Sequence, residues 1–171
     1  MHRLLSLDQS ITSCGYSIFE IHNNNQSELI DYGTIKLNTK LDYFERIISL
    51  ENILNEMVKD YNIRLAIIED IQKHRGTGLT TYKKLSSLLF FLQYFFYYRN
   101  IDCQIIHVNT WRNGYKNIFD LPQISKDVVY EHLFNILGEP SDFDNHQSDS
   151  IAMGLFHCHN NLVLRNELFT L

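Results

Sequence analysis

The first third of the chain alternates short apolar runs with polar turns, a pattern typical of β-strands. Residues 3–8 form an apolar run that ends in a carboxylate, and residues 15–21 alternate polar and apolar side chains. Residues 27–37 follow an Asn-rich turn as a hairpin partner. The pattern therefore predicts three consecutive strands, the last two joined as a hairpin.

A long helix and a fourth strand are predicted next. Thr39 is expected to cap a helix that reaches about Tyr61, because apolar residues recur there at helical spacing. These residues are Phe44, Ile47, Leu50, Leu54 and Met57. Residues 64–69 then form an apolar run of the kind found in buried strands, and this run also ends in a carboxylate.

The remaining segments predict three helices and one more strand. A helix is expected over residues 80–99 and a strand over residues 102–108, followed by helices over residues 125–137, with Ser125 as the cap, and 146–159. Three opening strands and later strands that alternate with helices imply an α/β fold. We expect a mixed five-stranded sheet flanked by α-helices.

The composition fits one globular domain over residues 1–171. The chain is 44% hydrophobic and 13% aromatic, which argues against disorder. Three cysteines without close pairing argue against a disulfide scaffold and for a reducing compartment. The apolar start soon meets Asp8, unlike a signal peptide, and the apolar run 85–98 is shorter than the ~20 residues of a membrane helix. We expect a cytoplasmic protein without membrane contact.

Charge is distributed unevenly along the chain. The net charge is −5, but residues 71–119 hold seven cations and one acid, so this segment carries +6 and the rest −11. Such asymmetry is typical of an acidic protein with one side that faces nucleic acid. An ordinary solvated patch of surface charge is the alternative.

Acidic residues stand at the ends of two predicted strands. If strands one and four are parallel neighbours, Asp8 and Glu69 emerge at the same edge of the sheet. His146 and Asp149 share one face at the start of the last helix. Each feature alone fits a solvated turn or a helix cap, but together they form a donor set suited to Mg²⁺ or Mn²⁺. Phosphoryl transfer is the chemistry that uses such a set.

Three motifs resemble those of RuvC-type Holliday junction resolvases. Residues 5–17 (LSLDQSITSCGYS) resemble the first motif, residues 66–69 (AIIE) the second and residues 146–152 (HQSDSIA) the last. The resemblance implies a ribonuclease-H-like fold. The Asn-, Ile- and Lys-rich sequence indicates an AT-rich genome, and the divergence suggests a bacteriophage version, in a bacterial cell or phage-infected host.

The same resemblance implies roles for the acidic cluster. Asp8 would bridge two metal ions, Mg²⁺ by preference with Mn²⁺ able to substitute. Glu69 and Asp149 would complete the coordination, and His146 would be a ligand or position the attacking water. The family carries an aromatic residue three positions after the glutamate, where this chain has Gln72.

Basic residues supply the expected contacts to DNA phosphates. A basic segment directly follows Glu69, and further cations continue along the next helix and beyond strand five. The predicted DNA-binding residues are Lys73, His74, Arg75, Lys83, Lys84, Arg112 and Lys116, with Lys126 as a further contact. Ordinary surface charge is the alternative for each. Trp111, Arg112 and Lys126 fall in segments that resemble the family's loop after the strand.

The helix over residues 80–99 is apolar on nearly all sides, whereas covering a sheet requires one apolar stripe. The surplus predicts a partner surface, and by resemblance a homodimer that places two cutting sites on a four-way junction. A deeply buried helix in a monomer is the alternative.

The expected activity is that of a metal-dependent endonuclease that resolves Holliday junctions and other branched DNA by paired nicks. Two alternatives remain open: a ribonuclease-H-like nuclease acting on RNA–DNA hybrids, and a non-catalytic nucleic-acid-binding relative.

Overall fold

The computed structural model describes residues 2–22, 26–72 and 78–163. Five strands and five helices lie in these ranges. They are β1 (His2–Asp8), β2 (Ser13–Ile21), β3 (Ser27–Lys36), α1 (Tyr43–Asp60), β4 (Ile63–Glu69), α2 (Leu79–Tyr98), β5 (Asp102–Ile106), α3 (Val108–Ile118), α4 (Lys126–Ile136) and α5 (Asn145–Val163). Within this part of the chain, none of the helices has the length and apolarity needed to cross a membrane.

The strands form one mixed sheet, as predicted. Their order is β3-β2-β1-β4-β5, with β1 at the centre. β1 pairs antiparallel with β2 and parallel with β4, while β5 continues the parallel side beyond β4. The arrangement places the ends of β1 and β4 side by side.

Two apolar cores cover the two faces of the sheet, because side chains alternate along each strand. On one face, Leu5 and Leu7 of β1 pack with α1 and α2. On the other, Leu4 and Ile67 pack with α3, α4 and α5. We call these the α1/α2 face and the α5 face.

The first helix begins later than predicted. Asp42 caps it instead of Thr39, since the Asp42 carboxylate accepts a hydrogen bond from the Glu45 amide at 2.9 Å and Glu45 accepts one from the Asp42 amide at 2.8 Å. This reciprocal capping box satisfies two amides that the helix itself cannot. Phe44, on the predicted apolar stripe, is 73% exposed.

The region after the fifth strand also differs from the prediction. β5 ends at Ile106 instead of residue 108, and His107 caps α3, a helix that the sequence pattern did not predict. The His107 ring accepts a hydrogen bond from the Asn109 amide at 3.2 Å. Three helices therefore follow the last strand, where we expected two.

Candidate active site

Two acids lie at adjacent strand ends. Leu7 of β1 is the register partner of Ile68 of β4, so Asp8 and Glu69 follow a matched pair of parallel strand residues. The Gln9 side-chain amide donates a hydrogen bond to the Glu69 carbonyl at 2.5 Å and ties the two strand ends together. The prediction that both acids emerge at one edge of the sheet agrees with this geometry.

The start of α5 brings His146 to the same edge. The Asp144 carboxylate accepts hydrogen bonds from the His146 and Gln147 amides, both at 2.9 Å, and from the Thr34 hydroxyl at 2.7 Å. Asp144 therefore caps α5 and fixes it to β3. A Cβ on Gly15 would lie 1.9 Å from the His146 carbonyl oxygen, so only glycine permits this approach.

His146 is paired directly with the first acid. Its Nδ1 lies 2.6 Å from Oδ2 of Asp8, and the Asp8 side chain is only 15% exposed. The hydrogen bond to Asp8 raises the pKa of His146 above its ordinary value, against the opposing effect of burial. The contact favours an imidazolium–carboxylate pair, which both orients the ring and compensates the charge of Asp8.

Asp149 is the most buried of the four predicted site residues. Its side chain is 4% exposed, and Oδ2 lies 3.3 Å from a guanidinium nitrogen of Arg112 and 3.4 Å from Nζ of Lys126. Burial is the main cause that raises the pKa of Asp149, followed by the charge of Asp8. The two cations oppose this rise in pKa and favour the charged form of the buried carboxylate.

Glu69 experiences the largest pKa shift within the cluster. Burial, and next the negative charge of Asp8, raise the pKa of Glu69 to about 7. The indole of Trp111 donates a hydrogen bond to Oε2 of Glu69 at 2.9 Å and partly opposes the shift. Near neutral pH this carboxyl group therefore exchanges a proton readily, and a nearby cation would favour its charged form.

The donor chemistry of the cluster fits a divalent cation. Asp8, Glu69 and Asp149 supply the oxygen ligands that Mg²⁺ prefers, and Oδ1 of Asp149 is buried without a hydrogen-bond partner among the described residues. Within the described ranges, no three His, Cys, Asp or Glu side chains already stand as a metal-binding group. Asp8 and Asp149 are paired instead with His146 and the two cations.

The predicted DNA-binding residues occupy different positions. Arg112 reaches into the acidic cluster, and Lys116 lies half-buried one helical turn further along α3. Lys83 is exposed in the second turn of α2, and Lys84 lies over the Tyr43 ring, 5.7 Å from its centre. Lys73, His74 and Arg75 lie outside the described residues.

Sequence reasoning missed the part that α3 plays at the site. This helix buries Val108, Trp111 and Tyr115, and thereby places the Trp111 indole on Glu69 and the Arg112 guanidinium on Asp149. The spacing of these three buried residues is helical and was available in the sequence as a signal. Lys126, expected to contact DNA, is the other cation on Asp149.

The amino-acid sequence is similar to those of known junction endonucleases. A family model described as "Crossover junction endodeoxyribonuclease RuvC" matches residues 4–81. The crossover junction endodeoxyribonuclease RuvC of Ehrlichia ruminantium is 24% identical over 159 residues, which cover 90% of this chain and 94% of that protein. The matched segment of the family model includes both strand-end acids.

The fold is shared with solved resolvase structures. Thermus thermophilus RuvC, solved in complex with a Holliday junction substrate, superposes with a TM-score of 0.73 at 14% identity, covering 94% of this chain and 96% of that one. The yeast mitochondrial Holliday junction resolvase gives a TM-score of 0.64 at 16% identity, with coverage of 95% and 81%. The ribonuclease-H-like fold class is thereby confirmed. In sequence the chain is similar to RuvC crossover junction endodeoxyribonucleases, and in fold it is similar to solved Holliday junction resolvases.

Proposed function

We propose that this protein is a metal-dependent, structure-selective DNA endonuclease that resolves Holliday junctions, and other branched DNA, by paired nicks. The observation that carries the proposal is the convergence of Asp8, Glu69, His146 and Asp149 at one edge of the sheet. The relatives found by sequence and the resolvases found by fold carry names that agree with this activity.

Asp8, Glu69 and Asp149 are the proposed ligands of Mg²⁺, with Mn²⁺ able to replace it. Divalent ions held by these carboxylates would activate a water and stabilise the leaving 3′ oxygen of a phosphodiester. Glu69 must lose its proton to act as a ligand, and its pKa of about 7 allows this at neutral pH. Trp111 holds the Glu69 carboxylate through its indole N–H.

His146 is the proposed group that positions the attacking water or contributes a ligand. Its ring is 33% exposed and bonded to Asp8, so it faces both the acidic cluster and the space that substrate would enter. The hydrogen bond to Asp8 raises the pKa of His146, which favours a positive ring, and such a ring would attract a phosphate to this edge.

DNA would be held by the cations that flank the cluster. Lys83, Lys84, Arg112 and Lys116 are the proposed phosphate contacts within the described residues, and Lys73, His74 and Arg75 are proposed contacts outside them. The segment that holds these residues carries +6 on an otherwise acidic protein, which directs a polyanion to this side.

A homodimer is the proposed assembly, in which residues 1–171 of each copy form one nuclease domain. The outward side of α2 exposes four aromatic side chains: Phe90, Tyr94, Tyr97 and Tyr98. Three of them, Phe90, Tyr94 and Tyr97, line an open cleft of about 420 Å³ together with the start of β5. Contiguous apolar surface of this kind is typical of protein contacts. A two-fold axis at α2 would present two equivalent sites to one junction. The proposed location is the cytoplasm of a bacterium or of a phage-infected host.

The direct test incubates the protein with a four-way junction, a linear duplex and an RNA–DNA hybrid, with Mg²⁺ or with a chelator. We expect paired nicks in the junction and in neither of the other substrates, and only when Mg²⁺ is present. Asp8→Asn should lower the rate on the order of 10³-fold while junction binding persists, since the charge that the site supplies to the reaction is lost. Lys59→Met, which removes an exposed cation on α1, is the matched control and should cut normally.

Two other outcomes would contradict the proposal. Preferential cutting of the hybrid would indicate a ribonuclease-H-like activity. Junction binding without cutting in both Mg²⁺ and Mn²⁺ would indicate a non-catalytic relative.

A further inference from the structure

One oxygen of a buried carboxylate already has two cationic partners. Oδ2 of Asp149 lies within 3.4 Å of both Arg112 and Lys126, which we call the cation pair. The other oxygen, Oδ1, is buried and lacks a hydrogen-bond partner among the described residues. In the described geometry, Asp149 is therefore compensated by side chains on one oxygen and open on the other.

The two cations reach Asp149 from outside its own helix. Arg112 lies on α3, with its guanidinium centred 5.0 Å from the Trp111 ring, and Lys126 is the first residue of α4. Their side chains are 27% and 42% exposed, so each also faces solvent at the edge of the cluster. The Nε of Arg112 is buried without a partner among the described residues, which leaves a donor for a further acceptor.

The cation pair and a divalent ion compete for the same charge. A carboxylate in direct contact with two positive groups is a weaker ligand for a third, because the cations repel one another at close range in a poorly solvated site. Phosphate groups are the natural alternative partners of arginine and lysine, since a guanidinium binds phosphate in the same forked geometry as carboxylate. DNA that takes up these side chains would therefore free Asp149.

We propose that the cation pair occupies Asp149 in the free protein and transfers to DNA phosphates on binding, so that DNA and divalent ions bind cooperatively. The inference rests on the proposed nuclease function and adds a regulation of the same site: the cluster gains its full affinity for metal only when DNA is present. Thermodynamic linkage requires that the metal strengthen DNA binding by the same factor.

The first experiment measures the affinity of the free protein for Mn²⁺ by isothermal titration calorimetry, without DNA. Arg112→Met and Lys126→Met should each bind Mn²⁺ several-fold more tightly than the wild type, and the double variant about tenfold more tightly. Lys59→Met changes the net charge equally at an exposed position of α1 and should leave the affinity unchanged. Arg112→Gln also removes the charge but keeps a polar side chain, and it serves if Arg112→Met does not fold.

The second experiment repeats the titration with a saturating four-way junction whose linkages are cleavage-resistant phosphorothioates. We expect the junction to tighten Mn²⁺ binding about tenfold in the wild type and much less in the double variant. Unchanged or weakened Mn²⁺ binding by the single variants in free protein would overturn the inference, because the cations would then support the carboxylate instead of competing. Absence of Mn²⁺ binding in every form would also overturn it.

Failure of the proposed function has a different signature. If the variants bind Mn²⁺ more tightly but neither they nor the wild type cut any junction, the competition at Asp149 stands and the nuclease proposal fails. If the wild type cuts junctions and the variants bind Mn²⁺ as the wild type does, the competition fails and the nuclease proposal stands.

Discussion

The two faces of the sheet are covered in opposite ways. On the α1/α2 face, large side chains such as Leu92 and Phe95 fill the space between helix and strands, and surplus aromatics point outward. On the α5 face, the helix comes so close that the Ser150 carbonyl accepts hydrogen bonds from Ser6 at 2.7 Å and Ser17 at 2.9 Å. The difference shows that bringing polar side chains to a strand end requires small residues, whereas simple coverage uses large ones.

The largest effect is expected where the approach of α5 is closest. In Gly15→Ala, the new Cβ would meet the backbone of His146, which cannot rotate away as a side chain can. We expect a loss of about 3 kcal/mol in the free energy of unfolding and displacement of His146 from Asp8. Urea denaturation measures the first effect, and cleavage of a junction measures the second.

The control for this prediction lies at the start of α2. Gly78 has no atom within 4 Å of its would-be Cβ. Gly78→Ala should change stability by less than about 1 kcal/mol. Equal losses in the two variants would mean that the contrast between the two faces is wrong.

The buried charge of the α5 face should appear as a dependence of stability on pH. With the pKa of Glu69 at about 7 in the folded state and 4.5 as its ordinary value, the folded protein keeps a proton that the unfolded chain has lost between these values. Stability of the metal-free protein therefore falls as pH rises through this window. Glu69→Gln should raise the free energy of unfolding on the order of 2 kcal/mol at pH 8 and leave it unchanged at pH 4.

The measurement is chemical denaturation in a chelator across this pH range. Glu131→Gln, an exposed change on α4, is the control and should follow the wild type. A Glu69→Gln variant that is less stable than the wild type at pH 8 would contradict the assignment, because the carboxylate would then stabilise the fold.

A smaller effect is expected from the hydroxyls that bind α5 to the sheet. Ser17→Ala removes one of two donors to the Ser150 carbonyl and leaves Ser6 in place, so the expected cost is about 1 kcal/mol. Ser49→Ala removes a comparable hydroxyl that donates to the Glu45 carbonyl within α1, and should cost almost nothing. Thermal melting of both variants compares the two faces directly.

The smallest effect on stability is expected on the outward side of α2. Tyr97 is 81% exposed, so Tyr97→Ser should change the free energy of unfolding of one copy by less than about 0.5 kcal/mol. The same change should shift the proposed homodimer toward monomer in sedimentation velocity. A dimer of unaltered strength would place the contact elsewhere.

The sequence was sufficient to predict the strands and helices whose apolar residues recur with a clear period. The strand runs before Asp8 and Glu69 and the parallel order of β1 and β4 predict the meeting of the two acids, because parallel strands end at the same edge. Alternation and helical spacing report on burial, and burial largely determines these elements.

Features that depend on choices between similar residues were not predictable in this way. Thr39 and Asp42 are both suitable caps, and only the return contact from Glu45 selects the second. Helix α3 was not predicted because most residues between Val108 and Tyr115 are polar, although its buried residues recur at helical spacing. Arg112 and Asp149 lie 37 residues apart in sequence, and their contact arises only from tertiary packing.

The position of β1 also determines whether the protein or its proposed DNA substrate changes conformation on binding. Asp8 lies at the end of β1 and Glu69 at the end of β4. Each of these strands is hydrogen-bonded to a neighbouring strand on both sides. Moving the two acids apart would break several hydrogen bonds between the strand backbones at once, so this edge of the sheet is rigid. Bending and opening must therefore come from the nucleic acid, and a branch point, where base stacking is already interrupted, is the least costly place to distort.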